Sequence, residues 1–289
     1  MGFWKTLFGG AEETPEQIEE RQKENAFDVL RTDGQRANRM GQYEYAIRCY
    51  RKALEIKDDL EVRDYLAHAL IHNNEMESAI AELKILQQAE PENLQIALLM
   101  THVYYMMEDY QAMLSMLAVF TDEMDVSESK EMVYYWRAKA YLGLEDNALA
   151  IEMLNKSIEE KSDFWDAYLL RGQTFLKDGK VEDAEKDANL LIEEVGEQEE
   201  TLLMKARIEV KKGEDESALG NYNKVIEVNP FSIDGFRERA MLKRKLGDEK
   251  GADEDSEALN SINKVGVEEN IEEKINQQYK SIDPYGIFG

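Results

Sequence analysis

The sequence predicts an all-α chain, a right-handed superhelical solenoid of antiparallel helix pairs. Three observations predict it: a repeat period near 34 residues, two rows of small residues locked to that period, and apolar residues spaced for helices rather than strands. The first row is Ala46, Ala79, Met113, Ala150, Ala184, Ala218 and Ala252, with successive spacings of 33, 34, 37, 34, 34 and 34. The second is Gly34, Ala67, Thr101, Ala138, Gly172, Ala206 and Ala240, and each member precedes its partner by 12. Where two helices cross closely, a side chain larger than a methyl or hydroxyl pushes the backbones apart, so a recurring small pair marks a crossing inside each unit. Seven residues beyond the first row lie Ala53, Leu86, Phe120, Ser157, Leu191, Val225 and Leu259. They are mostly apolar and read as the face turned toward the next unit.

The chain opens on an apolar segment, residues 1–10, followed by an acidic leader; together they occupy 1–26. The apolar stretch is interrupted by Lys5 and lacks a cleavage site after a proper apolar region, so it does not read as a signal peptide. Gly2 and Thr6 fit the short N-myristoylation pattern. Phe3, Trp4, Leu7 and Phe8 are expected to dock on the first unit, on a partner or weakly on a membrane surface. Seven helical units follow at 27–59, 60–93, 94–127, 131–164, 165–198, 199–232 and 233–262. In each, apolar residues recur at helical spacing, as in Ile47, Tyr50, Ala53 and Leu54. Gly41, Asn73-Asn74, Gly179, Gly213 and Gly247 mark the turns between the first helix (A) and the second (B). The acidic and polar stretch from Thr121 to Lys130 accounts for the long spacing and predicts a bend or looser packing there. After the seventh unit, 263–289 is expected to supply a capping helix and an apolar tail. That tail, 281–289, is expected to occupy its own groove, to insert into a second copy or to be captured by a partner.

The stretch Gly41-Gln42-Tyr43-Glu44-Tyr45-Ala46-Ile47 with Tyr50, Ala53 and Leu54 resembles the core pattern of tetratricopeptide repeats, and Glu90-Pro91 and Asn229-Pro230 close two units as that pattern does. The resemblance covers most of the chain. Met113 departs from it, as do Leu30, Arg63 and Ala97 where the family carries an aromatic residue. The resemblance implies a protein-binding scaffold or adaptor, without enzymatic activity or cofactor, whose concave groove is lined by the A helices.

Carried onto this sequence, the groove positions are Arg31, Gln35 and Arg39 in the first unit, then His68 and His72, then His102, Tyr105 and Met106. The later units contribute Tyr135 and Lys139, Gln173 and Lys177, Arg207 and Lys211, and finally Arg237, Met241, Arg244 and Lys245. Nine of these are Lys or Arg, against six acids at groove positions, Asp28, Glu61, Asp64, Asp166, Glu200 and Asp234. All but Asp64 stand in the first turn, where the helix macrodipole favours acids whatever the groove binds. The mid-helix cations predict an acidic or carboxylate-ended peptide as ligand. The family's carboxylate clamp is not present, since Arg31, Gln35, Tyr65, Gln95 and Leu99 stand where it needs lysines, asparagines and arginine.

Charge and composition constrain the rest. With 35 basic and 61 acidic residues the net charge is −26, which argues against a nucleic-acid partner, because phosphate contacts need clustered cations. No apolar run approaches the ~18 residues needed to span a bilayer, so the chain is expected to be cytoplasmic or at most peripheral to a membrane. The lone Cys49, inside the first B helix, reads as a packed thiol. His68 and His72 are four apart on one face and His102 holds the same repeat position as His68 one unit on, a weak candidate for a metal site against ordinary polar lining. No phosphate loop, serine elbow or cysteine with a histidine base is present, and no activity is expected.

Overall fold

The computed structural model describes residues 14–120 and 129–262. All regular structure among these residues is helical. The helices are α1 (Pro15–Arg39), α2 (Tyr43–Ile56), α3 (Leu60–His72), α4 (Met76–Ala89), α5 (Leu94–Met106), α6 (Tyr110–Leu117), α7 (Lys130–Gly143), α8 (Asn147–Glu160), α9 (Trp165–Lys177), α10 (Val181–Glu194), α11 (Glu199–Lys212), α12 (Asp215–Val228) and α13 (Ile233–Lys245), with a final helix α14 over 249–262. Odd-numbered helices are the A helices and even-numbered ones the B helices. The chain divides after Val103 into two compact units, each with its own core.

The small rows lie at the helix crossings. Every member of both rows is buried, from Gly34 to Ala240 and from Ala46 to Ala252. Gly replaces Ala where the neighbour is bulky. A methyl on Gly34 would come within 2.5 Å of the Tyr50 ring, and one on Gly172 within 2.7 Å of the Met204 sulfur. In the second unit the core is a succession of clusters rather than one mass. Tyr134, Ala138, Ala150 and Leu154 pack with Ala167 of the next A helix, and Ala184, Ala188 and Leu191 pack with Met204 and Ile208. Within this unit the pairs α7–α8 and α9–α10 are thus each closed by the helix that follows, the nearest-neighbour construction of a repeat array.

Each A-to-B turn places one residue in the left-handed region: Gly41, Asn74, Glu108, Glu145, Gly179, Gly213 and Gly247, with φ between 57° and 87°. Asn tolerates this conformation through its short polar side chain, but Glu108 and Glu145 hold it at a cost. The sequence signals for these turns found the glycines and asparagine and missed the two glutamates.

Two features differ from the sequence reading. The acidic leader from Pro15 onward is not separate from the first unit: it continues directly into the first A helix, making α1 25 residues long. Thr14 caps it through reciprocal hydrogen bonds with Gln17, Pro15 fits the first turn, and Lys23 bridges to Glu19 at 2.7 Å. Conversely α6 is only 8 residues long. The Arg137 guanidinium donates to the carbonyls of Leu117 (2.9 Å) and Phe120 (2.7 Å), satisfying groups the shortened helix leaves open. Cys49 is fully buried in the first core, and burial pushes its thiol pKa up to about 11, consistent with a packing role.

Candidate functional site

The repeat period sorts the A-helix face into rows. Tyr105, Lys139, Gln173, Arg207 and Met241 share one repeat position, each 34 residues from the next, and Lys177, Lys211 and Lys245 share another one turn on. Chemically alike positions nevertheless meet different surroundings, and their partners decide which cations remain available to a ligand.

Arg207 is neutralised within the protein. Its guanidinium grips Glu238 in a two-pronged pair, with Nε to Oε2 at 2.9 Å and Nη2 to Oε1 at 2.7 Å, and reaches Asp234 at 3.1 Å. Tyr222 donates to the same Glu238 carboxylate at 3.0 Å, and Arg237 pairs with Asp234. These hydrogen bonds, above all those to Glu238, hold the Arg207 pKa above its ordinary value. Lys245 is likewise taken, by Asp215 at 2.7 Å, and Arg244 by Asp253 at 3.2 Å. Arg31 is paired with Asp28 at 3.0 Å and reaches Glu61 at 3.6 Å. Five of the nine cations counted along the sequence are therefore neutralised locally.

Arg39, Lys139, Lys177 and Lys211 have no ion-pair partner among the described residues. The period explains the two later lysines. Asp215 precedes Lys245 by 30 residues, and the residues at that offset from Lys211 and Lys177 are Val181 and Asn147, neither of them an acid. Both lysines are exposed at the mouth of a cleft of about 430 Å³ whose other lining residues are Gln173, Leu176, Met204 and Arg207. Leu176 and Met204 are buried and provide an apolar floor. Gln173 supplies an amide donor and acceptor between them. The arrangement can accept a carboxylate at its rim and an apolar side chain on its floor.

Lys139 sits in an aromatic frame. Its ammonium lies 4.1 Å from the centre of the Tyr105 ring, 4.5 Å from Trp136 and 5.7 Å from Tyr135. Tyr105 meets Trp136 edge to face at 5.6 Å, and Tyr135 meets Phe164 at 5.2 Å. Burial is the main cause that draws the Lys139 pKa below the usual lysine value, against a distant attraction from Asp166. Burial also pushes the Tyr135 phenol up to about 12, so it remains neutral.

The histidines do not converge on a metal. His68 places Nδ1 3.0 Å from the backbone carbonyl of Asp64, and the His72 ring stacks on Tyr43 at 4.9 Å. No group of three or more His, Cys, Asp or Glu able to hold a metal occurs among the described residues. Of the other groove positions, Gln35 is half-buried and Met106 and Met241 are exposed. The N-terminal residues Phe3, Trp4, Leu7 and Phe8, and the cap and tail of 263–289, lie outside the described residues.

Comparison with known proteins fits these helix pairs into a family. Two tetratricopeptide-repeat family profiles match, one over residues 37–60 and one over 135–198, and these stretches hold α2 and the α7 to α10 pairs. The chain carries tetratricopeptide repeats. A tetratricopeptide repeat protein from Parabacteroides merdae superposes with a TM-score of 0.69 at 15% identity, over 82% of this chain and 93% of that one. PilF of Pseudomonas aeruginosa superposes at 0.58 with 18% identity, over 76% and 99%, and PilW, a type IV pilus biogenesis factor, at 0.60 with 14% identity, over 70% and 92%. Such identities establish the shared fold. DnaJ homolog subfamily C member 3 of Bos taurus is 38% identical over 71 residues, a match spanning 25% of this chain and 14% of that protein. Tetratricopeptide arrays are protein-interaction scaffolds. No helix among the described residues is long and apolar enough to cross a membrane.

One recurrent constellation escaped the sequence reading. Arg171 grips Asp187 through Nε at 2.9 Å and Nη2 at 2.7 Å, while Nη1 donates to Asn155 at 2.8 Å. Two repeats later, Arg239 holds Asp255 at 3.0 and 2.6 Å and Asn223 at 2.8 Å. The intermediate copy has Lys205 bonded to Asn189 at 2.9 Å. The signal was available: basic residues at 137, 171, 205 and 239 and asparagines at 155, 189 and 223 follow the same period as the alanines. This ladder stitches α8, α10 and α12 each to the helices that follow and is structural.

Proposed function

We propose that the chain is a scaffold that holds an acidic segment of a partner protein against the A-helix face of residues 104–262, with Lys177 and Lys211 as the charged contacts. The observation that carries this reading is the pair of exposed lysines beside a cleft with an apolar floor, left without acids because Asn147 and Val181 stand where Asp215 serves Lys245. Five of the other seven groove cations are already paired, so a partner's carboxylates gain more at these two than at those five. The strongly acidic remainder of the chain keeps acidic segments from settling elsewhere on it.

The test is affinity capture from native extract, comparing the wild type with Lys177→Glu/Lys211→Glu, followed by mass spectrometry. Partners lost in the variant, with helicity unchanged by circular dichroism, support the reading. Equal recovery by both proteins sinks it.

A further inference from the structure

We propose that Lys139 and its aromatic frame form a second anchor on this face, one that takes a partner carboxylate on the ammonium while an adjoining aromatic or aliphatic side chain of the partner lies against the rings. This rests on the proposed reading of the A-helix face and specifies the kind of segment that face recognises.

The argument begins from what Lys139 lacks. It holds the same repeat position as Arg207, whose charge is cancelled by Glu238, 31 residues ahead. At that offset from Lys139 stands Leu170, an apolar residue. Asp166 corresponds to Asp234, yet it acts on Lys139 only at a distance, whereas Asp234 bonds Arg207 directly. The ammonium is half-buried and meets ring faces at 4.1 and 4.5 Å, with no hydrogen-bond acceptor or ion-pair partner among the described residues. Ring faces attract a cation but do not take up its three N–H donors as a carboxylate does. A carboxylate arriving here therefore gains charge-assisted bonds in a partly dehydrated setting, where they are strongest.

The rings supply the second half of the recognition. Tyr105 is 37% exposed beside the exposed Met106, and Trp136 and Tyr135 are half-buried, so the frame offers an apolar shelf next to the charge. Because Lys139, Gln173 and Arg207 share one repeat row, the frame faces the same side as the Lys177/Lys211 cleft. Neighbouring packed helices stand ~10 Å apart, so two steps from α7 to α11 make ~20 Å. An extended peptide covers that distance in about six residues. The preferred ligand is thus a segment with an acid beside an aromatic residue and a second acid about six positions along.

The probe is a fluorescein-labelled peptide in a glycine-serine background carrying a Glu-Phe pair and a second Glu at that spacing, with binding followed by anisotropy and by Trp136 emission. Lys139→Met is expected to weaken binding about tenfold, the loss of one charge-assisted contact. Changing the Glu of the Glu-Phe pair to Gln should weaken wild-type binding equally and add little to Lys139→Met. Lys139→Gln, run in parallel, keeps a polar head at similar reach and must also weaken binding. Wild-type affinity in both Lys139 variants, with binding still lost in Lys177→Glu/Lys211→Glu, overturns this inference and leaves the proposed function standing. Failure of the wild type to bind the probe overturns both.

Discussion

Alanine at Asp187 should destabilise the array by about 3 kcal/mol, and the loss should belong to one pair rather than to the cavity created. The carboxylate side chain is 5% exposed and that of Arg171 is 18% exposed, joined by bonds of 2.7 and 2.9 Å. Removing the acid strands a guanidinium whose remaining contacts are Asn155 at 2.8 Å and the rings of Tyr168 and Phe175, 5.1 and 5.9 Å from it. Removing Arg171 instead, as Arg171→Met, strands an almost fully buried carboxylate and should cost a similar ~3 kcal/mol. If both losses arise from the same pair, the double variant costs about as much as either single one, giving a coupling of about 3 kcal/mol. Urea unfolding followed by tryptophan fluorescence, with Trp165 packed beside the α9 to α11 core, supplies the cycle. Hydrogen exchange of α9 and α10 amides locates the loss, since each repeat leans on its neighbours alone. A coupling below about 0.5 kcal/mol would show the two residues act independently and would refute the argument from burial.

Other expectations follow from single positions. Glu145→Gly should stabilise the protein by about 1 kcal/mol, because it relieves a φ of 61° at a position where the equivalent residue two turns later is Gly213; a raised denaturation midpoint checks it. Gly34→Ala should cost about 1–3 kcal/mol, because the new methyl meets the Tyr50 ring, and Tyr50→Leu in the same chain should recover part of the loss. Asp255 is buried, which raises a carboxylate pKa, yet the hydrogen bonds and charges of Arg239 and Lys243 outweigh burial and hold it below the usual carboxylate value. With the folded value depressed, its stabilisation is present above the unfolded value and lost as pH falls through the folded one. Amide protection in α13 and 249–262 should therefore hold from neutral pH to about 4 and fall below it, and Asp255→Asn should weaken it already at neutral pH.

The fold was legible because close helix crossings tolerate few residue types. Ala46 through Ala252 and Gly34 through Ala240 are small for one steric reason, and that reason repeats at a readable interval. The turns at Glu108 and Glu145 were not legible from composition, since glutamate carries no left-handed preference; they become so only once the alanine rows fix where a turn must fall. The extension of α1 into the leader was hidden because its stability is local, resting on the Thr14 cap, and needs no apolar stripe. The site was read less well than the fold. Counting cations at groove positions treated Arg207 and Lys211 alike, although one is locked to Glu238 and the other is open. That difference lies in residues about 30 positions away, so it appears only when each cation is asked what stands at the offset where its repeat-mate finds an acid.

The central claim is that a partner's acidic segment lies along the A-helix face beside Lys177 and Lys211. A photo-cross-linking amino acid at Gln173, which lines the cleft between the two lysines, tests it most directly. The account predicts that cross-linked partner peptides, sequenced by mass spectrometry, are rich in Asp and Glu and disappear in the Lys177→Glu/Lys211→Glu background. A cross-linker in place of Glu152, on the B helix α8, should capture none of them. Cross-links from position 152 to the same peptides, or neutral and basic peptides at position 173, would contradict the account.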